Sequence, residues 1–89
     1  MLNLVYHREF LKHYKKRIQP NSKLRSKYEE RLRLWLINKS DPVLKDHSLT
    51  GDQAEFRAFW ITGNIRVTYK IHEEDIELYD VGTHNQVYK

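Results

Sequence analysis

Two histidines and one arginine stand where their side chains could do chemistry. His84 follows Gly82 at the close of the last apolar stretch, and His47 lies in a long segment poor in apolar residues. An imidazole titrates near neutral pH, so either ring can take or give a proton. Arg66 falls between Ile65 and Val67 in the middle of a strand-like run. Its guanidinium can grip a phosphate through two hydrogen bonds. Arg57, Lys45 and Lys70 could add phosphate contacts, and Tyr88 could stack on a base. Each residue also has a plainer role. His84 fits a hydrogen-bonded terminal turn, and an Asp46-His47 turn can simply shape its loop. Arg57 and Arg66 could pair with Glu55 and Glu77 across strands, and Tyr88 could pack on the core.

Other chemistries find little support. With no cysteine there is neither a disulfide framework nor a thiolate zinc site. No histidine pair stands at helical ligand spacing near a carboxylate, and His7, His13 and His72 are isolated in sequence. Phosphate-cradling glycine loops and serine-nucleophile motifs are also missing. No metal or cofactor is expected.

The elements that must hold these residues follow from periodicity. Leu2 to Tyr6 reads as a short strand. Phe10, Tyr14 and Ile18 recur every fourth residue and predict a helix from Arg8 to Ile18, stopped by Pro20. Asn21 or Ser22 can cap a second helix running to Asn38, with Leu24, Tyr28, Leu32, Trp35 and Leu36 as its buried stripe. So short a connection predicts an antiparallel hairpin. Residues 39–54 show no period, and irregular stretches of that length are often functional. Three strands follow, over 55–61, 65–71 and 75–81, joined by turns at Thr62-Gly63-Asn64 and His72-Glu73-Glu74.

This order predicts an α+β domain over residues 1–89, β-α-α-β-β-β, with the helical hairpin on one face of an antiparallel sheet. Ile65, Val67, Tyr69, Ile71, Ile76 and Leu78 should lie beneath the helices. The uncovered face should carry Arg57, Arg66 and Lys70 with Phe59 and Tyr79. Cations interleaved with aromatics suit single-stranded RNA, although the same composition suits an ordinary solvated sheet face.

Eighty-nine residues with a net charge of +4 and a pI near 9.4 fit a small domain with an anionic partner. The first residues are too short for a signal-peptide core, and no apolar run has membrane-spanning length. A cytoplasmic protein with no membrane association is expected.

Four pieces in fixed order carry a family resemblance: Leu44-Lys-Asp-His-Ser-Leu-Thr-Gly51, Phe56-Arg57, Arg66-Val-Thr-Tyr69 and Val81-Gly-Thr-His-Asn-Gln-Val-Tyr88. Together they resemble the RelE/ParE toxin superfamily, most closely its YafQ branch. The resemblance implies a type II toxin-antitoxin toxin with the RelE-like fold. It implies an endoribonuclease that cuts messenger RNA, typically on the ribosome, through attack by the ribose 2′-hydroxyl without a metal. A cognate antitoxin is the implied partner. By position, His47 and His84 match the family's catalytic histidines, Arg66 the strand arginine of the RelE and YoeB branches, and Tyr88 the terminal aromatic. Arg57 occupies a position that is often basic. Ala58, Trp60 and Asn64 depart from YafQ, standing where that branch has ionisable residues. A ParE-like gyrase poison and a non-catalytic RNA-binding module are the rival implications.

Overall fold

The computed structural model describes residues 3–49, 51 and 55–87. Strand β1 (Asn3–Tyr6) leads into helix α1 (Arg8–His13), which runs on as a π-helical turn, Tyr14–Ile18. Helix α2 (Ser22–Ile37) follows, then a 3-10 turn (Pro42–Leu44) and the two-residue strand β2 (His47–Ser48). Strands β3 (Arg57–Trp60), β4 (Ile65–His72) and β5 (Asp75–Thr83) complete the sheet, and α3 (His84–Val87) closes the described chain. The strand order is β1-β5-β4-β3-β2, with β1 parallel to β5 and the other pairs antiparallel. The α+β class and the two-helix layer match the expectation. Strand β2 and helix α3 are additions to it.

Local chemistry explains the boundaries. The Asn21 side chain accepts hydrogen bonds from the amides of Lys23 and Leu24, capping α2. Thr62 Oγ1 accepts from the amides of Asn64 and Ile65 and holds the β3–β4 turn. Glu73 takes the left-handed conformation, φ 56°, in the β4–β5 turn.

Two aromatic groups fill the space between helices and sheet. Phe10 of α1 and Tyr14 of the π-helical turn meet Tyr28 of α2, with ring centroids 5.0–6.2 Å apart. Trp35 stacks on Phe59 at 5.0 Å and meets Tyr69 edge-on at 4.8 Å. Val67, Leu78 and Val81 complete this layer and are fully buried. Deleting an aromatic here should cost about 3–5 kcal/mol.

Two apolar expectations fail at the rim of the fold. Leu36 is half exposed at the end of α2, and Ile71 is 38% exposed near the β4–β5 turn. Among the described residues, no helix is long and apolar enough to cross a membrane.

Candidate functional site

The strand register assigns every candidate to a face. Ser48, Arg57, Tyr69 and Leu78 form one rung across the sheet, and Phe59, Val67 and Val81 form another; both face the helices. The alternate rungs, His47-Ala58-Thr68 and Trp60-Arg66-Gly82, occupy the opposite face. Arg66 is therefore on the uncovered face, as expected. Arg57 and Phe59 are not, so the expected phase of β3 is wrong by one residue. Both faces of this strand carry aromatics, and alternation alone selected the wrong one.

A buried carboxylate accounts for Arg57. Its Nε donates to Asp46 Oδ1 at 2.9 Å and its NH2 group lies 2.6 Å from the same oxygen. Asp46 Oδ2 accepts from Trp35 Nε1 at 2.8 Å and from the Tyr69 hydroxyl. Arg57 also reaches Tyr69 Oη at 3.2 Å and Ser48 Oγ at 2.9 Å. Burial works to lower the pKa of Arg57, but its bonds to Asp46 and Tyr69 outweigh that and raise it. Burial, joined by the Asp46 carboxylate, pushes the Tyr69 hydroxyl up as well. The four side chains tie α2, the loop before β2, and strands β3 and β4 into one unit. Asp46 thus turns inward, toward Trp35 and Tyr69. Sequence reasoning missed this network because residues 35, 46, 57 and 69 share no short-range pattern.

With Asp46 anchored, its neighbour His47 projects on the uncovered side. His47 is exposed, and its Nδ1 lies 2.7 Å from the carbonyl oxygen of Lys45. A carbonyl can only accept, so Nδ1 carries the proton, and a neutral ring has its basic lone pair on Nε2. Lys45 itself is left-handed, φ 48°, which turns the chain out of the 3-10 helix toward β2.

Trp60 and Arg66 pair on the uncovered face at the turn end of β3 and β4. The Arg66 guanidinium carbon lies 4.3 Å from the Trp60 ring centroid, and Lys45 Nζ lies 5.3 Å from the same centroid. Both are cation–π distances. Lys70 lies 3.5 Å from Glu55 and 6.0 Å from the Phe56 centroid. Glu55 therefore pairs with Lys70, rather than with either arginine, among these contacts.

His84 opens α3 two residues beyond Gly82, which stands opposite Arg66. Gly82 lies within β5, rather than ending the strand as expected. A Cβ there would fall 2.5 Å from Gln86 Oε1 and 2.6 Å from Arg17 NH1, so glycine permits this close approach. Gln86 Oε1 accepts from the Thr83 amide at 2.8 Å, fixing the backbone just before His84. Arg17 donates to the Val81 carbonyl at 2.9 Å, and His13 bonds Asp80 at 2.6 Å, bracing the same stretch of β5 from α1. His13 is therefore not the isolated solvated ring its sequence suggests. His7, which stacks on Tyr79 at 3.8 Å, is not isolated either.

The uncovered face is also less open than expected. Phe56, Tyr79 and Val87 surround buried Thr68 at a cavity of about 170 Å³. The exposed candidates concentrate toward His47 and His84. Tyr88 lies outside the described residues. Among those described, no three potential ligands of the histidine, aspartate and glutamate types group to hold a metal ion.

The fold has solved structural counterparts. The chain is 27% identical to a copper-bound mutant toxin from Helicobacter pylori, covering 98% of this chain and 99% of that one at a TM-score of 0.82. It is 25% identical to a chain of the Escherichia coli DinJ-YafQ complex, covering 100% of both chains at a TM-score of 0.78. A YoeB/ParE toxin from Agrobacterium tumefaciens shares the fold at 20% identity and a TM-score of 0.76, with 93% of this chain and 99% of that one covered. No curated protein matches the sequence. The family described as "Bacterial toxin of type II toxin-antitoxin system, YafQ" matches residues 2–89, and the chain belongs to that family.

Proposed function

We propose that this toxin is an endoribonuclease that cuts messenger RNA on the ribosome by using the RNA's own 2′-hydroxyl as nucleophile. The observation that carries this reading is the shared face of His47 and Arg66, with His84 two residues beyond Arg66's partner Gly82. By strand spacing, the Cα atoms of His47 and Arg66 lie about 12 Å apart, two strands across and two residues along. An extended arginine and an imidazole can converge on one nucleotide across that gap.

His47 Nε2 takes the proton of the 2′-hydroxyl, and the oxygen attacks the adjacent phosphorus. Arg66 stabilises the charge on the phosphorane oxygens. His84 gives a proton to the leaving 5′-oxygen, and a 2′,3′-cyclic phosphate remains. Lys45 and Lys70 hold flanking phosphates, and Tyr88 stacks on a base. Arg57 supports the site indirectly, by holding the Asp46 loop from which His47 projects. The acid, the base and the cation are all side chains of residues 1–89, acting as one domain in the cytoplasm.

The partner is an antitoxin whose acidic, partly disordered segment folds along the cationic face or displaces the segment after β5. The DinJ-YafQ complex supports an antitoxin partner, and the +4 charge of the chain favours an acidic one. The replacement of ionisable residues by Ala58 and Trp60 favours a second reading, RNA binding without cleavage. Incubating the protein with a short messenger RNA, with and without ribosomes and in EDTA, tests the proposal. Fragments ending in 2′,3′-cyclic phosphate are expected with ribosomes in magnesium, and EDTA should not stop any cutting of free RNA; intact RNA under every condition would overturn the proposal.

A further inference from the structure

The two tryptophans are held in opposite ways. Trp35 is 3% exposed, donates its indole N–H to Asp46 and is packed between Phe59 and Tyr69. Trp60 is half-buried on the other face, and its indole nitrogen meets no acceptor among the described residues. Its ring is met by cations, Arg66 at 4.3 Å and Lys45 at 5.3 Å. A cation over an aromatic face is a weak contact at a partly exposed site, about 0.5–1 kcal/mol, and a flat nucleobase can displace it. Arg66 and Lys45 come from separate segments, so either can withdraw from the ring without moving β3.

We infer that Trp60 is a stacking platform for one unpaired RNA base, next to the phosphate that Arg66 binds. This rests on the ribonucleic acid reading above and names the contact that seats the substrate. In the RNA-free protein, the ring holds the guanidinium near its working position. When RNA arrives the base takes the ring, and the released cation turns to the phosphate. Stacking accepts every base, because each has a π-face, but it needs a base not already stacked in a duplex.

The test uses intrinsic fluorescence with a single-stranded 2′-O-methyl RNA, which lacks the nucleophile and so stays whole. Binding should quench the wild type and leave Trp60→Phe, which retains only the shielded Trp35, unchanged. Duplex RNA of the same sequence should quench neither. Trp60→Ala should bind the single strand about tenfold to a hundredfold more weakly, and Trp60→Phe should lose less. Circular dichroism reports whether Trp60→Ala remains folded; if it does not, the wild-type and Trp60→Phe titrations still decide. Saturable binding with unchanged wild-type fluorescence would overturn the stacking role, and cleavage of unmodified RNA would then leave the ribonuclease reading standing. Quenching without any cleavage would keep the platform and sink the ribonuclease. An absence of both binding and cleavage would overturn both.

Discussion

Arg57 and Arg66 sit on adjacent strands, and their environments differ in almost every respect. Arg57 points toward the helices, where a buried carboxylate, a hydroxyl and a tyrosine surround it. Arg66 points the other way and lies across an aromatic ring. The first is itself 40% exposed, but it is matched to a buried counter-charge and has hydrogen bonds to protein groups. The second has a contact that an incoming phosphate could outcompete, since a charge-assisted hydrogen bond is stronger than an exposed cation–π contact. One sheet thus separates an ionic network around a buried carboxylate from a face where cations lie over an aromatic ring.

Substitutions on the two faces should therefore fail in different assays. The largest effect is expected for His84→Gln. Loss of a general acid should slow RNA cleavage by about 10²–10⁴-fold and abolish the alkaline limb of the pH–rate profile, while the urea midpoint stays at the wild-type value. A retained limb would assign the acid elsewhere. On the covered face, Asp46→Ala leaves Arg57 without its counter-charge and the donors of Trp35 and Tyr69 without an acceptor. Urea unfolding should show a loss of about 3–5 kcal/mol; a loss below 1 kcal/mol would mean that the network does not carry the fold.

Arg66→Ala should reverse that profile. A cleavage rate lower by about a hundred- to a thousandfold, or about 2.7–4 kcal/mol in activation free energy, should accompany a melting temperature lowered by only a few degrees, the worth of the cation–π contact. Equal damage to stability would erase the contrast between the arginines. Growth arrest surviving both His84→Gln and Arg66→Ala at wild-type expression would favour a target other than RNA.

The smallest effect is alkaline. Burial raises the Tyr28 and Tyr69 hydroxyls above the ordinary value of 10.0. Their neutral forms are favoured in the fold, so this stabilisation is complete below about pH 10 and is lost as pH rises toward the folded values. Tyr28→Phe removes one such group. Its unfolding free energy should fall less steeply than that of the wild type above about pH 10.

The sequence was most readable where one side of an element is apolar and the other is not. The four-residue spacing of Phe10, Tyr14 and Ile18 marks α1, and the alternation of β4 puts Arg66 on the correct face. Strand β3 defeats the same logic, because Phe56, Phe59 and Trp60 supply aromatics to both sides. Its phase is set by Asp46, a buried charge eleven residues earlier that draws Arg57 beneath the helices. Strand β2 has only two residues and no period to detect. For His84, sequence spacing suggested a margin position, while the braces from Gln86, Arg17 and Gly82 could be seen only in three dimensions. The face of Arg66 was therefore legible, but the side chains that brace β3 and the end of β5 were not.

The parallel pairing of β1 with β5 has a consequence for the order of synthesis. Asn3 lies opposite Asp75, 72 residues later. At about 5–20 residues per second, the first strand leaves the peptidyl-transfer centre about 4–14 s before its partner is made. Until then β1 has no neighbour in the sheet, and Gly82 and His84 do not yet exist to stand beside Arg66. Non-local closure of this kind is slow. The face that carries Arg66 is therefore completed only once β5, more than seventy residues after β1, has been translated.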